Sequence, residues 1–119
     1  MARIEQKVYT GPDAKALTVS TQTIHVMDIT NYSGISATIK CPALANGMMF
    51  LEWCGFNSAV DADWTAVPTA QYPNAAVTLA PSASAVVNAH GLHVGFTRIR
   101  VTLAAGAGNY SFYITAKDF

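Results

Sequence analysis

The chain has 119 residues, with seven basic and seven acidic side chains and no formal net charge. Its length suits one domain with a single core. A neutral chain without a basic run lacks the electrostatic footprint of a nucleic-acid-binding protein. Charged residues make up only 12% of the sequence, which favours a protein that associates with other subunits, because little charge opposes contact between its surfaces.

No targeting or membrane segment is recognised in the sequence. The N-terminus has no apolar stretch of signal-peptide length, and no segment approaches the roughly 18 continuous apolar residues of a membrane span. We therefore expect a protein that is made in the cytoplasm and has no membrane partner. Cys41 and Cys54 fall in separate predicted strands and match no metal or redox spacing. Free, buried thiols are favoured for both, and a disulfide between neighbouring strands is the alternative.

Residues 1–15 are predicted to form an N-terminal arm. Their first half is largely polar, and the Gly-Pro-Asp sequence at 11–13 is a turn signal that separates it from the first predicted strand. The remaining residues, 16–119, are predicted to form one β-sandwich domain.

Short segments with strand-like patterns come after the arm, and Gly, Pro and Asn-Gly turn signals separate most of them. In the segment 48–56 both faces are largely apolar, which predicts a strand at the centre of the domain. The other predicted strands before the final hairpin are 16–21, 23–30, 35–41, 64–67, 75–80 and 85–88.

The last quarter of the chain, 95–117, carries the clearest pattern, that of a β-hairpin. Two alternating runs flank a break at 104–109 that holds two glycines and an asparagine, residues that tolerate the positive φ of a tight reversal. One face of each run is predicted to be buried. These faces comprise Thr97, Ile99, Val101 and Leu103 in the first run, and Tyr110, Phe112, Ile114 and Ala116 in the second.

About eight short strands, frequent turn signals and no convincing helical period together predict an all-β fold. The sequence favours an antiparallel β-sandwich, with a jelly-roll or related Greek-key topology, over a closed barrel.

Histidines are the first candidates for chemistry. His90 and His93 have a spacing that could place two imidazoles on one metal ion, but no Cys, His, Asp or Glu lies within ten residues on either side. Ordinary hydrogen bonds are therefore favoured, and we expect no metal and no cofactor. His25 is interpreted as a half-buried strand residue.

Glu52 stands alone as a carboxylate within the apolar strand 48–56. Burial would raise its pKa, and a perturbed carboxylate can mark a functional site. An ion pair with Arg98 or Arg100 on a neighbouring strand is the favoured interpretation.

A loop with two acids precedes Trp64 and forms a possible ligand rim. Asp61 and Asp63 are too few oxygens for calcium by themselves, and Trp64 could serve as a flat platform for a sugar. Packing of Trp64 in the core or at its rim is favoured. Because the sequence has no nucleophile motif, phosphate-binding glycine loop or paired CxxC, we expect no catalytic residues and no enzyme.

Two segments carry a resemblance to a known group of proteins. FLEWCGFNSAVDADWTAVP and HVGFTRIRVTLAAGAGNYSFYITAKDF resemble elements of small virion proteins of tailed bacteriophages, and together they cover about half the chain. The loop before Trp64 contains Asn57, Ser58, Asp61 and Asp63 but lacks the glycine of the more familiar version.

The resemblance implies a capsid decoration (cement) protein, or a similar structural subunit, at the capsid surface of a virion. Such a protein forms a homotrimer and binds the major capsid protein. We expect the arm to make this contact by β-augmentation. A carbohydrate-binding module and a tail or receptor-binding component are the alternatives. The candidate partner-binding residues are Arg3, Ile4, Glu5, Gln6, Lys7, Val8 and Tyr9.

Overall fold

The structure, a computed structural model, describes residues 4–91 and 95–118. Regular structure in these residues is extended, apart from two single-turn 3-10 helices at Gly11–Asp13 and Asp61–Asp63. The strands are β1 Ile4–Tyr9, β2 Lys15–Leu17, β3 Thr21–Asp28, β4 Gly34–Lys40, β5 Asn46–Cys54, β6 Thr65–Ala66, β7 Ala76–Leu79, β8 Ser84–His90, β9 Phe96–Ala105 and β10 Gly108–Lys117.

The first sheet has the strand order β1-β10-β4-β8, and all its pairs are antiparallel. Strand β2 pairs with the beginning of β10, on residues 108–110, and β1 pairs with its end, on residues 112–117. The two short strands therefore follow one another along one edge of the sheet, interrupted by the Gly11–Asp13 turn.

The second sheet has the order β3-β9-β5 and ends in two short strands that follow one another along β5. These are β6, which pairs with residues 52 and 53, and β7, which pairs with residues 47–50. The segment predicted to be central is thus an interior strand of this sheet, with β9 on its other side.

If each broken edge counts as one strand position, the described residues form eight positions in two antiparallel sheets. Every connection between successive positions, except that from β5 to β6, passes from one sheet to the other. This winding belongs to the class of jelly rolls and related Greek-key sandwiches. The all-β sandwich predicted from the sequence is confirmed.

The core lies between the two sheets and is built from the faces that alternation predicts. Ile99 and Val101 of β9 and Phe112 of β10 are fully buried. Tyr110 is also buried, and its hydroxyl donates a hydrogen bond to the Gly106 carbonyl at 2.6 Å. The phenol therefore needs no solvent partner.

The β-hairpin predicted for the last quarter of the chain is wrong. Strand β9 pairs with β3 and β5 in the second sheet, whereas β10 pairs with β1, β2 and β4 in the first. The tight turn between them therefore passes from one sheet to the other. Strand β9 continues to Ala105 and β10 begins at Gly108, which leaves two residues in the turn. Gly106 takes a φ of 88°, a conformation in which a glycine avoids strain. Its Cα also lies against the β4–β5 loop, where an added Cβ would stand 2.5 Å from the Leu44 carbonyl oxygen.

The segment predicted as an arm joins the first sheet through β1, and the boundary predicted after residue 15 falls inside β2. Main-chain pairing with β10 accounts for this position, since β1 has little apolar surface to bury. Strand β8 is longer than the short segment predicted at 85–88, whereas β6 has only two residues.

Candidate docking edge

Strand β1 lies at the edge of the first sheet and extends beyond the cover of the second sheet. Lys7 pairs with Ile114, which in turn pairs with Ala37, so the three side chains share the inner face. Ile114 and Ala37 are buried, but Lys7 is exposed. Glu5 is likewise exposed, although the residues that lie beside it on β10 and β4 are buried. Both faces of β1 are therefore open to solvent along most of its length.

The side chains of β1 separate by chemistry between its two faces. Ile4, Gln6 and Val8 share the outer face, and Ile4 and Val8 are among the exposed large apolar residues. Glu5 and Lys7 lie on the inner face. The strand thus presents apolar contact area on one side and opposite charges on the other. Arg3, the first of the predicted partner-binding residues, lies outside the described residues.

The outer main-chain edge of β1 is open. The strand pairs with β10 on one side and, within residues 4–91 and 95–118, with no strand on the other. Alternate N–H and C=O groups along such an edge point away from the sheet and can pair with an extended segment of another chain. The geometry therefore allows the β-augmentation expected from the sequence.

Tyr9, the last residue of β1, ties the edge to the second sheet. Its hydroxyl lies 2.8 Å from Nδ1 of His25 on β3, and the two rings meet edge to face with centroids 5.9 Å apart. Burial raises the pKa of Tyr9. Burial lowers the pKa of His25, and the charge of Lys7 lowers it further. His25 is partly buried, as predicted, but its contact with Tyr9 was not predicted.

Two lysines flank the Tyr9 ring beneath the edge. The ammonium groups of Lys7 and Lys15 lie 5.1 and 4.4 Å from the ring centroid, within the range of a cation–π contact. An open groove of about 390 Å³ runs between β1, the Gly11–Asp13 turn and β2. The groove has room for a side chain of a segment that pairs with β1.

The second predicted site, the possible ligand rim, is a packed loop. Trp64 is 6% exposed, the guanidinium carbon of Arg98 lies 4.6 Å from its ring centroid, and its indole N–H donates to the Ser58 carbonyl at 3.1 Å. Asp61 and Asp63 remain exposed. A sugar platform requires an open aromatic face, which Trp64 does not offer in this conformation.

Glu52 forms the ion pair predicted from the sequence. Arg98 Nε donates to Glu52 Oε1 at 2.8 Å, and Nη2 lies 2.7 Å from the same oxygen. Arg100 approaches this carboxylate at 3.5 Å, and Asp61 joins both arginines at 3.1 and 3.7 Å. The outer face of the second sheet therefore holds a cluster of two arginines and two carboxylates, and the loop before Trp64 covers it.

His90 lies at the end of β8, whereas His93 lies outside the described residues. Among residues 4–91 and 95–118, no group of three or more His, Cys, Asp or Glu side chains could hold a metal ion. Cys41 and Cys54 both carry free thiols, as the sequence favours, but only Cys54 is buried as predicted and Cys41 is half-buried. No helix in the described part of the chain is both long and apolar enough to cross a membrane.

The sequence matches no protein-family model. It also matches no curated protein. Solved structures do match it. A protein of the Bacillus endospore appendages, which form disulfide-linked pili, has a TM-score of 0.61 and 12% identity, with 98% of this chain and 87% of that chain covered.

Two further solved structures share the fold. The SPBc2 prophage-derived protein YomS has a TM-score of 0.54 and 6% identity, with coverage of 99% of this chain and 96% of that one. A protein of the infectious bursal disease virus Gx strain has a TM-score of 0.50 and 12% identity, with 98% of this chain and 32% of that one covered. At such identities the likeness shows the fold alone.

Proposed function

We propose that this chain is a non-enzymatic structural protein of a bacteriophage virion. The overhanging edge strand β1 carries the proposal, because its open edge suits attachment to another protein and adds little to its own core. Two segments that resemble small virion proteins support it, as does the fold shared with a prophage-derived protein and with part of a virus protein.

The specific role we propose is that of a capsid decoration (cement) protein. In this role the chain forms a homotrimer at the capsid surface and binds the major capsid protein through residues 3–9, Arg3 to Tyr9. An extended capsid segment adds to the outer edge of β1 by main-chain hydrogen bonds. Three linked copies bind together, so a weak contact at each edge gives a lasting attachment.

A pair of proline variants tests the contact, because neighbouring residues of an edge strand point their N–H groups to opposite sides. The variants are Gln6→Pro and Lys7→Pro. One of these prolines removes an N–H that donates a hydrogen bond to β10, and the other removes an N–H that points away from the sheet. The variant that has lost only the outward N–H should keep the melting temperature of the unmodified chain, which identifies it. We expect it to lose co-sedimentation with heads of the same phage.

A variant with proline at the start of β8, Ser84→Pro, is a useful control, since it alters the first residue of an edge strand far from β1 in the sequence. It should retain head binding. Full head binding by both β1 variants would refute attachment through this edge. Binding to isolated tails instead of heads would identify a tail component.

The carbohydrate-binding alternative depends on Asp61, Asp63 and Trp64. A glycan-array signal that is lost in Trp64→Ala without a change in melting temperature would favour it. The burial of Trp64 under Arg98 argues against this outcome, because removal of a buried ring destabilises the loop.

A further inference from the structure

The outer face of the first sheet carries an exposed apolar row with basic charge beside it. Tyr113 pairs with Thr38, and Thr38 pairs with Val86, so the three side chains stand side by side across β10, β4 and β8. Tyr113 is 37% and Val86 45% exposed. The ammonium group of Lys40 lies 5.4 Å from the Tyr113 ring centroid. We call Tyr113, Thr38, Val86 and Lys40 the front patch.

The front patch has no acidic counterpart on its own face. Within the described residues, the strand positions that share this outer face hold no aspartate or glutamate. Val8 continues the apolar row onto β1. The front of the molecule is therefore apolar at its centre and positive at its margin.

The opposite side of the sandwich also exposes apolar side chains, but the charges beside them are acidic. Phe56 and Val60, in the loop between β5 and β6, are both 58% exposed. Asp61 and Asp63 follow them in the same loop and are also exposed. We call Phe56, Val60, Asp61 and Asp63 the back patch.

The cluster beneath the back patch explains why the patch is negative. Arg98 and Arg100 lie on the outer face of the second sheet, but their side chains are only 5% and 13% exposed, whereas that of Asp61 is 71% exposed. The arginines and Glu52, whose side chain is 13% exposed, are thus covered by the loop, and the carboxylates of Asp61 and Asp63 face solvent. Contacts from Arg98 to Asp61 and from the Ser58 hydroxyl to Asp63 fix the loop in this position.

We infer that the front patch of one copy of this chain binds the back patch of a second copy. Both patches expose large apolar side chains, and their surface charges are opposite, as complementary interfaces require. Two fronts would bring Lys40 near its equivalent, and two backs would oppose their carboxylates. The inference rests on the self-association within the proposed function, and it names the two surfaces that make the contact.

A contact between unlike patches is heterologous, and each copy keeps one unused patch after it binds. Such contacts close into a ring when the rotation between copies permits, or continue as an open chain. A ring of three copies would be the proposed homotrimer. The β1 edge does not take part in the charge matching and remains available for another partner.

Two single substitutions at exposed positions test the inference. Val86→Glu places a carboxylate in the front patch, opposite Asp61 and Asp63 of the next copy. Val60→Lys places an ammonium group in the back patch, opposite Lys40. We expect the unmodified chain to be oligomeric by light scattering, and each variant to fall to the 12.6 kDa of a single chain.

Mixing the two variants gives the decisive result. The unchanged back of the Val86→Glu chain can bind the unchanged front of the Val60→Lys chain, so the mixture should form complexes that contain both variants. The introduced carboxylate and the introduced ammonium group also have opposite charges, so such complexes can extend beyond one pair. Val19→Glu, at an exposed position in the β2–β3 loop, should leave the mass of the unmodified oligomer unchanged. Circular dichroism melting checks that all three variants are folded.

Three outcomes would overturn the inference: an unmodified chain that is monomeric, an oligomer that survives Val60→Lys, or a mixture that stays monomeric. Head binding is measured separately. If a β1 proline variant loses head binding but keeps the oligomer, the substitution has removed the capsid contact and left self-association unchanged. If Val86→Glu loses the oligomer while its single chains still bind heads, the substitution has removed self-association and left the capsid contact unchanged.

Discussion

The Tyr9 hydroxyl lies 2.8 Å from Nδ1 of His25 and joins the edge strand of the first sheet to the edge strand of the second. A neutral imidazole that carries its proton on Nε2 accepts this hydrogen bond at Nδ1. Burial and the charge of Lys7 lower the pKa of His25, so the folded chain favours the neutral form. The free energy of this contact therefore depends on pH.

We expect the chain to lose stability as the pH falls below the ordinary His25 pKa of 6.5. The unfolded chain then binds a proton that the folded chain resists, and the loss grows until the pH reaches the lowered pKa of the folded state. Lys15 also opposes protonation, whereas Glu5 favours it. Melting temperatures measured between about pH 7.5 and pH 5 report the effect.

The control is His25→Gln, which removes the titrating group and keeps a polar side chain beside Tyr9. Its melting temperature should depend less on pH over this range than that of the unmodified chain. If both proteins show the same pH dependence, another group is responsible and the assignment to His25 is wrong.

A second prediction concerns the buried ion pair on the outer face of the second sheet. Arg98→Met should cost about 3–5 kcal/mol, because it leaves Glu52 poorly solvated and without its closest partner. Asp61→Asn should cost only about 0.2–1 kcal/mol, because the side chain of Asp61 is 71% exposed. Urea unfolding measures both free energies.

The double variant Arg98→Met with Glu52→Leu shows whether the stability loss in Arg98→Met comes from the lost contacts of Arg98 or from the unpaired charge of Glu52. Removal of both partners should restore most of the stability that Arg98→Met loses. A double variant as unstable as the single one would show that packing of Arg98 on Trp64, rather than the charge of Glu52, dominates the cost.

The sequence predicts the last two strands well because alternation is local information, but it does not predict that they belong to different sheets. The alternation at 96–103 and 110–117 assigns each side chain to a face, and the buried set matches that assignment except at Arg98, which the loop before Trp64 covers. The pair of Glu52 with Arg98 was also predictable, because each apolar strand has few charges and a buried carboxylate needs a cation. The break predicted at 104–109 is longer than the observed turn, in which Gly106 packs against Leu44, a residue distant in sequence.

The edge position of β1 could not be derived in the same way. Neither of its faces is consistently apolar, and it pairs with residues 112–117, at the other end of the chain. The contact of Tyr9 with His25 depends on this pairing and on a register irregularity in β3 near His25. Burial of Trp64 likewise depends on Arg98, which reaches it from a strand much later in the sequence.

The last prediction concerns the turn between β9 and β10. Gly106→Ala should destabilise the chain for two reasons, which urea unfolding measures together. The φ of 88° costs a residue with a Cβ about 1–2 kcal/mol. The new methyl group would also stand 2.5 Å from the Leu44 carbonyl oxygen and 2.6 Å from the Ala45 Cα, and relief of such crowding costs about 1–3 kcal/mol.

Gly11→Ala is the matched control for this prediction. Gly11 also has a positive φ, 56°, but no atom lies within 4 Å of the position of an added Cβ. It should therefore show the backbone cost without the crowding, and lose less stability than Gly106→Ala. Equal losses in the two variants would mean that the β4–β5 loop moves aside freely, and that its contact with the β9–β10 turn does not stabilise that end of the sandwich.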